Sequence, residues 1–269
     1  MRVIVDSYVY GLIKIASLER LAIKPDDYKK LEEMHDDKKL LDALDDFFPG
    51  ISHVKNPNII NIEKQLLSIY FRIFEKILVA SPEPMQEFMK SLLIRYEIWN
   101  IKTYILGMLA GLNFKEIRGE ILMRPEKIML RNDFIRKLLN LDDLGEAIRY
   151  LKVYTRYSDA IDRGWYYFQE KGEVFVLEAL LDKYYMDNLV GNIERYSGTE
   201  KKVFRDYIDI LVAKYNLMLV FRGVSNKIPK DLLKQFIIPQ QFLDRNSLEN
   251  LIDSRNKREF LTRLMGLLG

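Results

Sequence analysis

Five consecutive residues offer the clearest opening for metal chemistry. Asp142-Asp143-Leu144-Gly145-Glu146 sets carboxylates one helical turn apart, the arrangement by which an Asp-rich box holds magnesium against a pyrophosphate. The same spacing serves a helix start. Asp143 as N-cap with Glu146 three residues on makes a capping box that needs no metal. No second carboxylate box accompanies it in the sequence, so the spacing favours the cap. Ser254-Arg255-Asn256-Lys257 has the Ser-x-x-Lys spacing in which a lysine of depressed pKa would activate a serine for acyl transfer. Its companion motifs are missing, and among Asp253, Arg258 and Glu259 it reads as a solvated helix face.

The remaining candidates thin out quickly. His35 lies in an acidic segment and His53 in a loop, neither with a second histidine or a cysteine at ligand spacing, so both are expected to be exposed. No phosphate-binding GxxxxGK[ST] loop occurs, which excludes nucleotide hydrolysis of that kind. Glu97 and Asp209 could be offered as a catalytic carboxylate pair, but the residues around one repeat those around the other. A repeated carboxylate is more simply a helix-packing contact, with Lys102 and Lys214 or a neighbouring helix as partner. Trp99, Trp165, Tyr166-Tyr167 and Tyr184-Tyr185 read as packing residues with polar tips at the surface, some of them able to anchor a partner. No catalytic, cofactor or metal residue is expected.

Composition narrows the class further. The chain has 269 residues, 42 Lys+Arg against 39 Asp+Glu for a net charge of +3, and no cysteine. Near-balanced, interleaved charge argues against a dedicated nucleic-acid binder. The missing cysteine excludes a disulfide scaffold, a thiolate metal site and a cysteine nucleophile. Asp6 interrupts the opening apolar residues, so no signal peptide is expected and the chain should remain in the cytoplasm. The uncharged stretch from Thr103 to Phe114 falls short of the ~20 residues that span a bilayer. Residues Asp26 to Asp46 hold nine acids against four lysines, a solvated face or an acidic patch that sets register on a basic partner.

These residues must be positioned by helices. Glycine (13) and proline (8) are scarce, and apolar residues recur at three and four, which predicts an all-α protein without strands. Pro25 opens the first of two short helices that stop at Pro49-Gly50, and a loop follows. A long helix carries the stripe Ile62, Leu66, Ile69, Tyr70, Ile73, Ile77. Ser81-Pro82 is expected to act as N-cap and first residue of a helix of some thirty residues ending at Gly111. Asn113, Asp143, Glu173 and Gly198-Thr199 begin later helices, Gly223 closes one, and Ile237-Ile238-Pro239 breaks the pattern before Ser247 and a last amphipathic stretch.

The strongest feature is a duplication. Residues 97–111 align without a gap on residues 209–223, an offset of 112, so that Glu97 meets Asp209, Lys102 meets Lys214 and Gly111 meets Gly223, while Asn100 meets Val212. Upstream, Ile62-Glu63, Leu66 and Tyr70 answer Leu177-Glu178, Leu181 and Tyr185 at an offset of 115. Each half is a helical hairpin whose apolar face needs a neighbour, which implies a stacked body with extended surfaces and favours a scaffold over an enzyme with a pocket.

The segments Ile62-Glu63 through Tyr70, Tyr96-Glu97-Ile98-Trp99-Asn100-Ile101-Lys102 to Gly111, Leu177 to Tyr185, Tyr207-Ile208-Asp209-Ile210 and the Ile237-Ile238-Pro239 break together resemble the C subunits of the archaeal A-type ATP synthases, relatives of the d subunits of V-type ATPases. The resemblance implies a funnel-like all-helical body of three parts that carries torque without catalysis. Its partners would be the rotor axle subunits and the membrane proteolipid ring, on the cytoplasmic side of the membrane, in service of proton or sodium transport. It implies no cofactor, small-molecule substrate, nucleic acid or membrane span of its own. The duplication divides the chain at 1–117, 118–230 and 231–269, the last a third repeat that is incomplete or divergent. The repeat-motif residues Glu63, Tyr96, Glu97, Asn100, Lys102, Gly111, Glu178, Asp209, Lys214 and Gly223 are expected to be structural. The rival readings are a general helical-repeat adaptor and an all-α enzyme of the prenyl-synthase kind.

Overall fold

Asn58, Asn113, Asp143 and Asp244 open helices in one way. Each side-chain oxygen accepts the backbone N–H three residues on, at 2.9, 3.1, 2.8 and 2.7 Å, satisfying a donor that the first helical turn leaves without an internal partner. The computed structural model describes residues 2–19, 21–240 and 243–268; Met1 and Gly269, which open and close the sequence, lie outside the described residues. Among the described residues it has fifteen α-helices, one 3₁₀ turn and no strand, so the chain is all-α.

The helices are α1 (Arg2–Glu19), α2 (Pro25–Glu32), α3 (Asp37–Leu44), α4 (Ile59–Ala80), α5 (Glu83–Leu109), α6 (Phe114–Glu120), α7 (Met123–Ile128) and α8 (Asn132–Leu139). They continue as α9 (Leu144–Tyr154), α10 (Ser158–Lys171), α11 (Phe175–Asn192), α12 (Gly198–Ser225), α13 (Lys230–Phe236), α14 (Arg245–Ile252) and α15 (Lys257–Leu268). Three sequence expectations shift at the boundaries. The second short helix, α3, ends at Leu44, before Pro49-Gly50. Ser81 does not cap α5; its hydroxyl donates back to the Ile77 carbonyl at 2.8 Å and finishes α4. Gly223 does not close α12, which runs on to Ser225. The helix α1 lies in a segment for which the sequence offers no cap or stop signal. Among the described residues no helix is long and apolar enough to cross a membrane.

The chain divides into two compact units, residues 1–90 with 123–131, and residues 91–122 with 132–269. In the first, Leu41, Ile51 and Ile69 form a core joined by Leu44, Phe48, Val54, Ile62, Leu66 and Ile73. The predicted stripe of α4 packs on α3 and the loop after it through Ile62, Leu66, Ile69 and Ile73, whereas Tyr70 is 43% exposed and Phe71, Phe74 and Leu78 are buried on another side. The loop is held by polar bonds. The Asp45 carboxylate accepts from Gly50 N, Ser52 N and Ser52 Oγ at 3.0, 3.0 and 2.7 Å, and the Ser52 bonds hold its pKa below the usual carboxylate range.

In the second unit α10 packs against both α9 and α11, and α12 against α11, α13, α14 and α15. The α10–α11 hairpin is close because Gly164 faces Leu177: a Cβ at 164 would lie 2.6 Å from the Leu177 Cα. Gly172, at φ +67°, ends α10 in the left-handed conformation that glycine adopts without strain.

Candidate functional site

A primary amide offers two donors and an acceptor on one flat group, so a buried asparagine can satisfy both backbone groups of one residue outside its helix. Asn100 on α5 does this. Its Nδ2 donates to the Leu122 carbonyl at 2.9 Å and its Oδ1 accepts the Leu122 N–H at 2.8 Å. On α12, Asn216 Nδ2 donates to the Ile238 carbonyl at 2.8 Å and Oδ1 accepts the Ile238 N–H at 3.0 Å. Both asparagines have 0% exposure. Each clasp spans 22 residues, and the two stand 116 residues apart.

The close glycine contact and the helix end repeat at that same offset. Gly107 lies under Ile117, where a Cβ would come within 2.7 Å of the Ile117 side chain, and Gly223 lies under Leu233 at 2.3 Å. Both helices end in a Schellman motif: Leu112 N–H donates to Gly107 O and Ile228 N–H to Gly223 O, each at 2.9 Å. The left-handed residue is Gly111 (φ +71°) in one copy and Lys227 (φ +57°) in the other. The helices that follow, α6 and α13, have seven residues each.

The structural register is therefore 116 and not the 112 read from the sequence. Gly223 corresponds to Gly107, Gly111 to Lys227, and Asn100 to Asn216 rather than Val212. Glu97 corresponds to Ala213 and Lys102 to Met218, while Asp209 and Lys214 correspond to Leu93 and Ile98. A slip of four residues is close to one turn of about 3.6 residues, so the apolar faces stay in phase and glycine still meets glycine. The signal for the true register is an asparagine seven residues before a glycine in both copies.

The carboxylates accordingly have separate roles. Glu97, 5% exposed, accepts from the Tyr157 hydroxyl. Lys102 Nζ reaches Asp182 Oδ1 and Oδ2 at 2.7 and 2.9 Å, not Glu97. Asp209 is half-buried, and burial raises its pKa against the opposing pull of Arg205; Lys214 is exposed. Glu178 accepts from Arg222 Nη2 at 2.8 Å, while Glu63 lies exposed on α4. Tyr96 is half-buried beneath the Arg95 guanidinium, 5.1 Å from its ring centre.

Two further tyrosines, which the sequence patterns do not single out, complete the polar framework. Tyr104 donates to the Leu141 carbonyl at 2.7 Å and Tyr215 to the Phe236 carbonyl at 3.0 Å. Burial pushes both phenols up, Tyr104 to about 12. Of the aromatic residues expected to pack, Trp165 stacks on Phe168 with ring centres 5.3 Å apart, whereas Trp99 is 56% exposed. Its position on α5 places it away from the Asn100 clasp, which occupies the buried face.

Asp143 accepts the Glu146 N–H as N-cap of α9, which accounts for the carboxylate spacing. Ser254 is 6% exposed in the turn between α14 and α15, so it does not lie on a solvated face as its charged neighbours suggested; Lys257, which opens α15, is exposed. His35 and His53 flank the α3 segment: His35 is exposed, and His53 is exposed in the loop before α4. The arrangement is one of helix positioning: buried polar side chains tie loop backbone to long helices.

Comparison with known proteins gives this framework a family. The chain is similar to the A-type ATP synthase C subunit of Methanothermobacter thermautotrophicus, 23% identical over 236 residues, covering 87% of this chain and 58% of that relative. It is likewise similar to the proteins of the same name from Methanocaldococcus jannaschii, 23% identical with 86% and 57% covered, and Pyrococcus horikoshii, 21% identical with 96% and 68% covered. It spans somewhat more than half the length of the first two. Residues 14–267 match the family model described as ATP synthase (C/AC39) subunit, and the chain, with its all-helical fold, belongs to that family.

Proposed function

We propose that this chain is a non-catalytic coupling piece of an A-type rotary ATP synthase, set between the rotor axle subunits and the membrane proteolipid ring. It would pass torque from one to the other, for transport of protons or sodium ions, on the cytoplasmic side of the membrane and without entering it. Family membership supports the reading, as do the names carried by its relatives. The observation that carries it is the twice-built clasp. Asn100 and Asn216 with Gly107 and Gly223 key two long helices to the segments beyond them through buried polar and close-packed contacts, which suits a body that must stay stiff under load.

The repeat-motif residues are structural in this reading. The division into repeat parts at 1–117, 118–230 and 231–269 follows the duplicated sequence, with the last part an incomplete or divergent third repeat of a funnel-like body. Affinity-tagged protein expressed at its natural level is the test. Gently solubilised membranes should yield the axle and ring subunits together with it in constant ratio. Repeated recovery of the tagged chain without either partner would overturn the reading.

A further inference from the structure

Gln240 stands two residues beyond the clasped Ile238. Both polar atoms of its amide, Nε2 and Oε1, are buried without a hydrogen-bond partner among the described residues, a costly state for a group with two donors and an acceptor. Gln240 lines a cavity of about 260 Å³ bounded by α13, the segment after it and α14. Leu248 at its wall is buried, Ile237 and Leu243 are half-buried, and Pro239 and Arg245 are exposed, so the cavity opens to solvent.

The earlier repeat completes the same position from within. At the offset of 116 Gln240 corresponds to Arg124, whose Nη2 donates to Glu75 Oε2 on α4 at 2.7 Å. Helices α4 and α11 correspond at 115, with Phe74 and Leu189, and Leu78 and Ile193, buried alike. That register puts Val190 where Glu75 stands, so the later copy has an apolar residue in place of the acid.

The cavity's charges are already matched. Glu249 Oε1 accepts from Arg245 Nε at 3.0 Å and its Oε2 lies 3.5 Å from Lys234 Nζ, while Asp244 Oδ1 accepts the Ser247 N–H at 2.7 Å. What the site lacks is a neutral partner that can accept from Nε2 and donate to Oε1. The volume is below the roughly 300 Å³ at which small-molecule pockets begin, which favours a single residue over a nucleotide.

We infer that this cavity is a docking site for an extended segment of another protein, with Gln240 holding the backbone N–H and C=O of one aliphatic residue. Asn100 and Asn216 supply the precedent. Each takes both backbone groups of one aliphatic residue, Leu122 or Ile238, and the residue before it is extended in both cases, Ile121 at ψ 131° and Ile237 at ψ 138°. Gln240 presents the same group to an unfilled space. The inference rests on this cavity and not on the coupling role, so its failure would leave that role standing.

The probe is a synthetic peptide of residues 120–124, the segment that Asn100 clasps, acetylated and amidated at its ends, with a second form methylated on the Leu122 nitrogen. In the full chain labelled with ¹⁵N, the side-chain amide signals of Gln240 are those missing from Gln240→Met. The peptide should move them saturably, and methylation should weaken binding at least about tenfold, since Oε1 then loses its donor. Gln240→Met should weaken binding similarly and raise the free protein's thermal midpoint by removing an unsatisfied buried amide. No saturable movement at millimolar peptide would overturn the inference. So would equal affinity for the methylated peptide or in Gln240→Met, which means an apolar hollow blind to backbone. A midpoint that falls in Gln240→Met would overturn it too, because water then already completes the amide's bonds, as would movement produced by adenosine and not by the peptide, which means a small-molecule site.

Discussion

Asn216 holds Ile238 by both of its backbone polar groups, its Nδ2 on the carbonyl and its Oδ1 on the N–H, at 2.8 and 3.0 Å with neither residue more than 2% exposed. Removing the amide leaves a buried N–H and a buried C=O together. Asn216→Ala should therefore destabilise the protein by about 2–4 kcal/mol, and Asn100→Ala by a similar amount. Urea unfolding of each variant checks this; a change below about 0.5 kcal/mol, the level of an ordinary surface substitution, would show the clasp to be dispensable.

The buried helix glycines and the helix-ending residues should respond oppositely. Gly223→Ala drives a methyl into Leu233 and should cost about 1–3 kcal/mol by overpacking, partly recovered by Leu233→Ala in the same chain. Leu130, 92% exposed at φ +60° after α7, occupies the left-handed conformation, where the Cβ of any L-residue crowds the following carbonyl. Leu130→Gly should stabilise by about 0.5–1 kcal/mol, read as a rise in urea midpoint at constant slope.

Lys102 and Asp182 form an ion pair with side-chain exposures of 15% and 29%. Partial burial limits screening but also costs desolvation, so Lys102→Met should cost only about 1 kcal/mol. Measured in a double-mutant cycle with Asp182→Asn, the coupling should shrink as salt is raised to about 1 M, where the screening length falls to about 3 Å.

Alkaline titration should separate the buried phenols from the exposed ones. Exposed tyrosines ionise near a pKa of about 10, while Tyr104 should hold its proton up to about pH 12. Its folded pKa lies above the unfolded one, so the unfolded state gives up the proton first. The stabilisation is complete below about pH 10 and is lost as pH rises towards 12. Absorbance at the phenolate band, compared with Tyr104→Phe, should show one late-ionising group removed; the same spectrum in both proteins would contradict the assignment.

The carboxylate box provides a test against the enzyme reading. Asp143→Ala removes the N-cap of α9 and should cost about 1 kcal/mol, whereas Asp142→Ala at an exposed position should be nearly silent. Magnesium with pyrophosphate should leave the thermal midpoint of the parent protein unchanged. A magnesium-dependent rise that vanishes in the double variant would revive the diphosphate chemistry.

Much of the fold is legible in the sequence, for physical reasons that differ by element. Pro25, Asn113 and Asp143 fix helix starts through local chemistry, and local chemistry survives in sequence. The family resemblance rests on the order of such segments. The register does not come through, because a four-residue slip leaves a helix face in phase and because Gly111 and Gly223, both glycines, serve different ends: one takes a left-handed turn, the other makes room for Leu233. Asn216 does not stand out along the chain, since the backbone it holds lies 22 residues away. Glu97 reads from sequence as a packing residue, and its partner is Tyr157 on another element, a pairing no spacing rule along the chain reveals.

Asn100 and Gly107, like Asn216 and Gly223, sit seven residues apart on one helix, about two turns and so on nearly the same side. A single fastening on a rod lets it pivot or creep lengthwise. A peg and a notch placed two turns apart prevent both, because spinning the rod would tear the peg free and sliding it would drive the notch onto a side chain. On each long helix these two residues resist turning and lengthwise slip together, in addition to the packing that α12 makes with α11, α13, α14 and α15, and a mutation at either one weakens that resistance.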